Sequence, residues 1–269
     1  MSAPLELYQG APSVCSSKVR IGLAEKGLDW VSHPVNLKKG EQNDPAYLKL
    51  NPMGVVPTLV HGDLVVVESS IILDYIDGLS ADTPLMPAQD PWLTRAKIWL
   101  TRCIDIHAAI NTMTFSTVNR AQTLATKTPE EIEASIARMA NPATAAKRRE
   151  VFRDGLQSPQ VDAAFFTLRR MFDDMQRLLD QGAWLSGETY SIVDTALLSY
   201  VDRLDRLGFS GLWEVTTPAV GKWLAASRAR PSYSAIADYA GPVEADPLHA
   251  KGTEFWPQVC DRWEAWRAR

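Results

Sequence analysis

Cysteine is scarce in this chain: Cys15, Cys103 and Cys260 are odd in number and far apart, which excludes a disulfide framework. No apolar stretch reaches the roughly 18 residues that a membrane helix needs. The N-terminus also lacks the charged-then-apolar pattern of a secretory signal. Basic runs are absent and the net charge is −4, which argues against nucleic acid as a partner. No C-x-x-C pair is present, so thiol–disulfide exchange by a dithiol is disfavoured. Together these absences point to a cytoplasmic protein with no nucleic-acid or membrane partner. A length of 269 residues allows one large domain or two modest ones around a sizeable core.

What is present is a change of pattern along the chain, without an internal repeat. The first eighty residues read as β-α-β-α-β-β-α. Leu5-Glu6-Leu7-Tyr8 is a short strand, Ser16 to Lys26 a helix ending at Gly27, and Trp30 to Val35 a second strand with alternating faces. A polar loop from Asn36 to Asp44 leads to a short helix near Pro45–Leu50, and His61-Gly62-Asp63 turns a hairpin. A β-α-β unit requires parallel strands and a right-handed crossover, so the spacing predicts a thioredoxin-like α/β domain over 1–80. A proline-rich linker occupies 81–91, and 92–269 reads as all-α. There the apolar positions of Trp92 to Val118 and Val161 to Leu179 recur at helical spacing. Ser191-Ile192-Val193-Asp194 has a capping-box pattern, with further helices expected over 219–229 and 233–239.

The most informative stretch is Asn51-Pro52-Met53-Gly54-Val55-Val56-Pro57, followed after one hairpin by Glu68-Ser69. Pro57 precedes an extended run, a place suited to a cis bond that would turn the Val56 backbone outward toward a peptide-like ligand. Ser69 and Ser70 open a helix whose free N–H groups attract a carboxylate, while Glu68 could meet an ammonium. Taken singly, Val-Pro is ordinarily a turn and the serines ordinary caps. Taken together they suit a ligand with a peptide edge, an α-carboxylate and an α-amine, and glutathione is such a ligand.

The segments Ser13-Val14-Cys15-Ser16-Ser17-Lys18-Val19-Arg20-Ile21, Asp44 to Leu50 and "NPMGVVPTL…VVESSIILDYI" resemble the glutathione transferase superfamily, with a weaker resemblance through the C-terminal half. That resemblance implies Val56, with Val55 and Pro57 beside it, pairing with the cysteinyl backbone. It places Glu68 and Ser69 at the γ-glutamyl end and Lys39 or Gln42 at the glycyl carboxylate. Val55 stands where many relatives have Lys or Gln.

Such a site must hold a thiolate. A free thiol titrates near 8.5, and lowering it by about two units requires roughly 2.7 kcal/mol of preference for the anion. A hydrogen bond to a charged acceptor supplies about 1.5–3 kcal/mol and a helix N-terminus about 0.3–1, so one hydroxyl suffices without a histidine base or a metal. Ser13 matches the catalytic position of relatives that start "S-x-C-x-x-R-V-R" or "C-P-x-x". Ser16 is the runner-up, with an N-cap as its plain alternative. Cys15 could be a thiol acidified at a helix start, and Tyr8 lies near a strand end where other transferases use a tyrosine.

The second substrate, a hydrophobic electrophile, is expected against Tyr8 and the Trp92–Val118 helix, where His107, Ile110, Met113, Thr114 and Phe115 fall on candidate faces. The three tryptophans of the tail, Trp256, Trp263 and Trp266, would lend aromatic walls or fill a helical core. An insert over 119–159 resembles the bacterial β-aryl etherases of lignin degradation. The expected activity is therefore attack of the glutathione thiolate on an aromatic electrophile, with β-aryl ether cleavage as the specific reaction. A maleylacetoacetate-isomerase-like enzyme and a non-catalytic ligand- or protein-binding module are the alternatives. The family resemblance also implies a homodimer.

Overall fold

The computed structural model describes residues 3–80 and 82–268. Residues 1, 2 and 269, at the ends of the two expected domains, and Ala81, which opens the expected linker, lie outside the described residues.

Leu5–Gln9 (β1), Trp30–Pro34 (β2), Thr58–His61 (β3) and Leu64–Val66 (β4) form one sheet in the order β2-β1-β3-β4. β1 and β2 are parallel, with Leu5 opposite Trp30, whereas β3 runs antiparallel to both β1 and β4. The crossover from β1 to β2 is helix Val14–Glu25 (α1), and Gly27 beyond it takes a φ of 61° that ends the helix without a side-chain clash. Pro45–Leu48 (α2) and Ser69–Asp77 (α3) complete a thioredoxin-like order.

Two local expectations are corrected. Helix α1 begins at Val14 rather than Ser16, because the Ser13 hydroxyl accepts the Ser16 N–H and so caps the helix two residues earlier. β2 does not bury alternate residues: it is an edge strand, and Val31 is 47% exposed.

The remainder is helical: Trp92–Ser116 (α4), Val118–Thr126 (α5), Pro129–Ala137 (α6), Pro142–Asp154 (α7), Pro159–Leu179 (α8), Ile192–Arg206 (α9), Gly211–Glu214 (α10), Ala219–Arg228 (α11), Ser234–Ala240 (α12), Pro247–Thr253 (α13) and Trp256–Arg267 (α14). The expected insert is built of α5 to α7. Thr128 and Glu131 form a reciprocal capping box at α6, and the Asn141 side chain accepts the Ala143 and Thr144 N–H groups to start α7. The tail, expected to be helical without individual helices being assigned, forms α13 and α14, each with a proline in its first turn.

Contacts divide the chain into two compact units. One holds the residues up to Cys103 with Leu178–Ser199 and Trp223–Gly241, and the other Ile104–Arg177, Tyr200–Lys222 and the residues from Pro242 onward. Polar bonds bind the helical parts of the first unit to the linker and to α1. Ile192 donates to the Leu85 carbonyl, and Arg230 forms a two-pronged bond to the Glu25 carboxylate at 2.7 and 2.6 Å. Asp194 is fully buried and accepts from Leu185 N, Ser191 N, Ser191 Oγ and Trp223 Nε1; complete burial raises its carboxyl above the usual range. In the second unit the tail is interior material. Trp263 is 2% exposed, stacks on Trp266 and meets the Phe165 ring edge-on, while Arg206 bonds both Asp202 and Asp246.

Candidate glutathione site

Beyond β1 the chain passes through Gly10. A Cβ at that position would stand 2.8 Å from Leu37 Cδ1 and 3.4 Å from Val56 Cγ2, so glycine lets the loop pass this close to both. Three residues on, Ser13 has extended backbone angles, and its Oγ accepts the Ser16 N–H at 3.2 Å. A hydroxyl carries one donor and two acceptor positions, so the cap uses an acceptor position and leaves the proton to be donated. Ser13 is half-buried. Ser16 is 0% exposed and its Oγ accepts the Gly10 N–H at 3.2 Å, which ties the loop to the helix. Cys15 is buried. The Tyr8 ring stacks on His33 at 4.5 Å and packs against Val35, Tyr47 and Val56.

Arg20 holds α1 in place. Its guanidinium donates to Gln9 Oε1 at 2.6 Å, Ser17 Oγ at 2.9 Å and the Ala235 carbonyl at 2.9 Å, with the Tyr239 ring 3.8 Å away. Burial lowers it to about 10, so it remains a cation in neutral solution.

The segment from Asn51 to Pro57 is locked by its own side chains. Asn51 Oδ1 accepts the Met53 N–H, and Asn51 Nδ2 donates to the Val55 carbonyl at 2.9 Å and Thr58 Oγ1 at 3.3 Å. The Tyr47 hydroxyl donates to the same Val55 carbonyl at 2.6 Å. The Val56–Pro57 bond is cis. Among the described residues the Val56 N–H and C=O take no hydrogen bond within the chain. The Val55 carbonyl is fully engaged, and its side chain is 50% exposed.

Glu68 caps α3 with φ 66° and ψ 108°, and among the described residues it alone has a positive φ without being glycine. A β-carbon in this region is disfavoured, and such strain collects at functional positions. The Glu68 side chain is exposed. Behind Ser69 and Ser70 lies Lys18 of α1, which is 0% exposed and donates to Ser69 Oγ at 3.2 Å and Ser70 Oγ at 2.9 Å. Each serine oxygen thus accepts from the ammonium, its own proton stays available to an anion, and the charge adds to the field of the helix start. Lys18 is not foreseen as functional from the sequence. Its only signal is a charged residue between Ser17 and Val19 in a helix that is buried from Val14 to Leu23.

In the loop after β2, Asn36 Oδ1 accepts the Lys38 and Lys39 N–H groups at 3.1 Å each, and the Glu41 carboxylate accepts the Asn36 N–H at 2.7 Å. Lys39 is exposed. The Gln42 Oε1 is buried, with no hydrogen-bond partner among the described residues.

Strand pairing puts Tyr8 opposite Thr58, the Gly10 approach adds Val56, and Lys18 joins α1 to the start of α3. Ser13, Val56, Glu68 and Ser69 all lie in the first unit. In the second unit, Ile110, Met113 and Thr114 are buried at 1%, 0% and 6% exposure, and the Thr114 hydroxyl donates to the Ile110 carbonyl. The more open positions on that part of α4 are His107, whose Nε2 is 3.2 Å from Asn111 Nδ2, and Phe115.

Residues 3–78 match the model of the glutathione S-transferase N-terminal domain, and residues 158–226 match that of the C-terminal domain. The chain is 48% identical over 86 residues to glutathione S-transferase Z2 of Arabidopsis thaliana, covering 32% of this chain and only 39% of that protein's length. Maleylacetoacetate isomerase of Pseudomonas aeruginosa is 43% identical over 97 residues, which span 36% of this chain and 45% of that protein. Protein LigF of Sphingobium sp. strain SYK-6 is 28% identical over 235 residues, 85% of this chain and 91% of its own length. The crystal structure of the β-etherase LigF has a TM-score of 0.75 at 27% identity, covering 87% of this chain and 98% of that one. With both domain models matched in order on the expected architecture, the chain belongs to the glutathione transferase superfamily.

Proposed function

We propose that the protein is an enzyme that activates glutathione through Ser13. The observation that carries this reading is the Ser13 hydroxyl, capping α1 with an acceptor position while its proton is free to bond a thiolate. Ser16, the rival, has no exposed surface and is committed to the Gly10 N–H. In this reading the unbonded Val56 edge pairs with the cysteinyl backbone, and Ser69, backed by Lys18, takes the γ-glutamyl carboxylate. Glu68 meets the ammonium, while Lys39 or Gln42 takes the glycyl carboxylate.

The thiolate attacks an aromatic electrophile, and the specific reaction is cleavage of a β-aryl ether. A carbon–sulfur bond forms at the β-carbon, the carbon–oxygen bond breaks, and the aryloxide leaves with the electron pair and takes a proton from water. Similarity to LigF over most of the chain supports that choice. His107 and the neighbouring positions of α4 belong to the electrophile subsite in this reading. A homodimer and a cytoplasmic location accompany it by family analogy alone. The test is a panel of β-aryl ethers and simple aryl halides with glutathione, read by mass spectrometry. Aryloxide release supports the etherase reading, and thioether formation from the halides alone restricts the protein to general conjugation.

The N-terminal match to maleylacetoacetate isomerase favours a second reading, in which the thiolate adds to a double bond, rotation follows and the thiolate is expelled. Isomerisation of a cis-enone without a stable thioether product would select it. Retention on a glutathione column with neither thiol ionisation nor turnover would select a non-catalytic binding module.

A further inference from the structure

A buried cation braces both ends of the short loop that carries Ser13. Arg20 of α1 donates from Nη1 to Gln9 Oε1 at 2.6 Å, at the last residue of β1. Its Nη2 donates to Ser17 Oγ at 2.9 Å and reaches the Ala11 carbonyl at 3.5 Å, inside the loop. Its Nε donates to the Ala235 carbonyl of α12, whose Tyr239 ring lies against the guanidinium. All of these residues belong to the first compact unit.

Each partner is tied in turn to the loop or the sheet. Gln9 Nε2 donates to Ser32 Oγ of β2 at 3.2 Å, which leaves Oε1 to face the guanidinium. The Ser13 N–H donates to the Gly10 carbonyl at 3.0 Å, and the Ser17 N–H donates to the Ser13 carbonyl at 2.9 Å. Ser17 therefore holds Ser13 with its backbone and Arg20 with its hydroxyl. The acceptors of Arg20 are neutral, and burying a cation without an acid is costly for a side chain that only fills space. A hydroxyl that drifts beyond about 3.5 Å no longer bonds its acceptor, so the Ser13 proton is useful only where this loop is held still.

We propose that Arg20 is a positioning residue for thiolate formation: its fork fixes Gln9, Ala11 and Ser17 relative to one another and so keeps the Ser13 hydroxyl on the bound sulfur. This rests on the transferase reading above and adds a second residue to its chemistry. Arg20 acts through Ser13 and not on the sulfur itself. A lysine would keep the charge, but one nitrogen cannot span β1, the loop and α12 together.

The test is the thiolate absorbance of bound glutathione, titrated from about pH 5 to 10 in the full chain. Arg20→Lys and Ser17→Ala are measured alone and combined with Ser13→Ala. Arg20→Lys is expected to raise the titration midpoint by roughly 0.5–1, about half of what the Ser13 hydrogen bond supplies, and Ser17→Ala by less. Neither should move the midpoint further once Ser13 is alanine, because the hydroxyl they position is gone. An Arg20→Lys midpoint within about 0.3 of wild type, or the same rise with and without Ser13, overturns the proposal. Should Arg20→Lys fail to fold, Ser17→Ala decides by the same criterion. A wild type that binds no glutathione, or whose bound thiol titrates near the ordinary value of about 8.5, overturns the transferase reading and the proposal with it. A lowered thiol that ignores both substitutions overturns the proposal and leaves that reading standing.

Discussion

Replacing Ser13 removes two things of calculable size. As the cap of α1 its hydroxyl accepts the Ser16 N–H, and losing such a cap costs about 1 kcal/mol. As the donor to a bound thiolate it supplies about 1.5–3 kcal/mol, which is roughly 1.1–2.2 units of thiol pKa. If binding brings the thiol from about 8.5 to about 6.5, Ser13→Ala returns it to about 7.6–8.7. At pH 6.5 the ionised fraction, and kcat/KM with it, then falls about 7- to 80-fold, and the deficit closes above roughly pH 9. Ser13→Gly separates the two roles, because glycine costs an N-cap only a few tenths of a kcal/mol while removing the same hydroxyl. The assay is the thiolate ultraviolet absorbance of bound glutathione titrated from pH 5 to 10, beside the pH–rate profile for an aryl halide. Ser16→Ala is the control, expected to lower the melting temperature through the Gly10 bond and to leave the thiol titration in place. A Ser13→Ala protein whose bound thiol titrates within about 0.3 units of wild type would refute the assignment, since that difference is worth only about 0.4 kcal/mol.

Other expectations follow from the same geometry. Lys18→Met removes the ammonium behind Ser69 and Ser70 and should raise the KM for glutathione about tenfold, or about 1.4 kcal/mol, without moving the thiol titration; steady-state kinetics with the titration separate the two. Glu68→Gly relieves a φ of 66° and should stabilise the fold by about 1 kcal/mol while weakening glutathione binding, to be read by thermal melting and calorimetry. Because burial raises the folded Asp194 carboxyl above 3.8, the folded chain keeps this proton where the unfolded chain has lost it. Its contribution to stability is therefore full below 3.8 and declines as pH rises through the folded value. Asp194→Asn should abolish that decline and cost about 1–3 kcal/mol at low pH, a deficit that narrows as pH rises, since the amide NH₂ cannot accept from both Leu185 and Ser191; urea titrations at several pH values measure both effects.

Residue order alone established the β-α-β-α-β-β-α domain, the helical remainder and the cap at Ser191, because these depend on contacts between residues a few positions apart. For the same reason the Asn51–Pro57 segment and the Glu68–Ser69 helix start are legible as motifs: Asn51 bonds within its own loop. What spacing could not decide was which serine at the start of α1 presents its hydroxyl. The tertiary structure gives the two different surroundings, since Ser16 is buried and accepts the Gly10 N–H while Ser13 is half-buried. Long-range packing also made Lys18 part of the α3 start, across 51 residues of sequence, and brought the Ala235 carbonyl to Arg20 across 215. Neither leaves a local signal, because the free energy of a charge in a folded chain is set by the partners that distant segments bring to it or withhold.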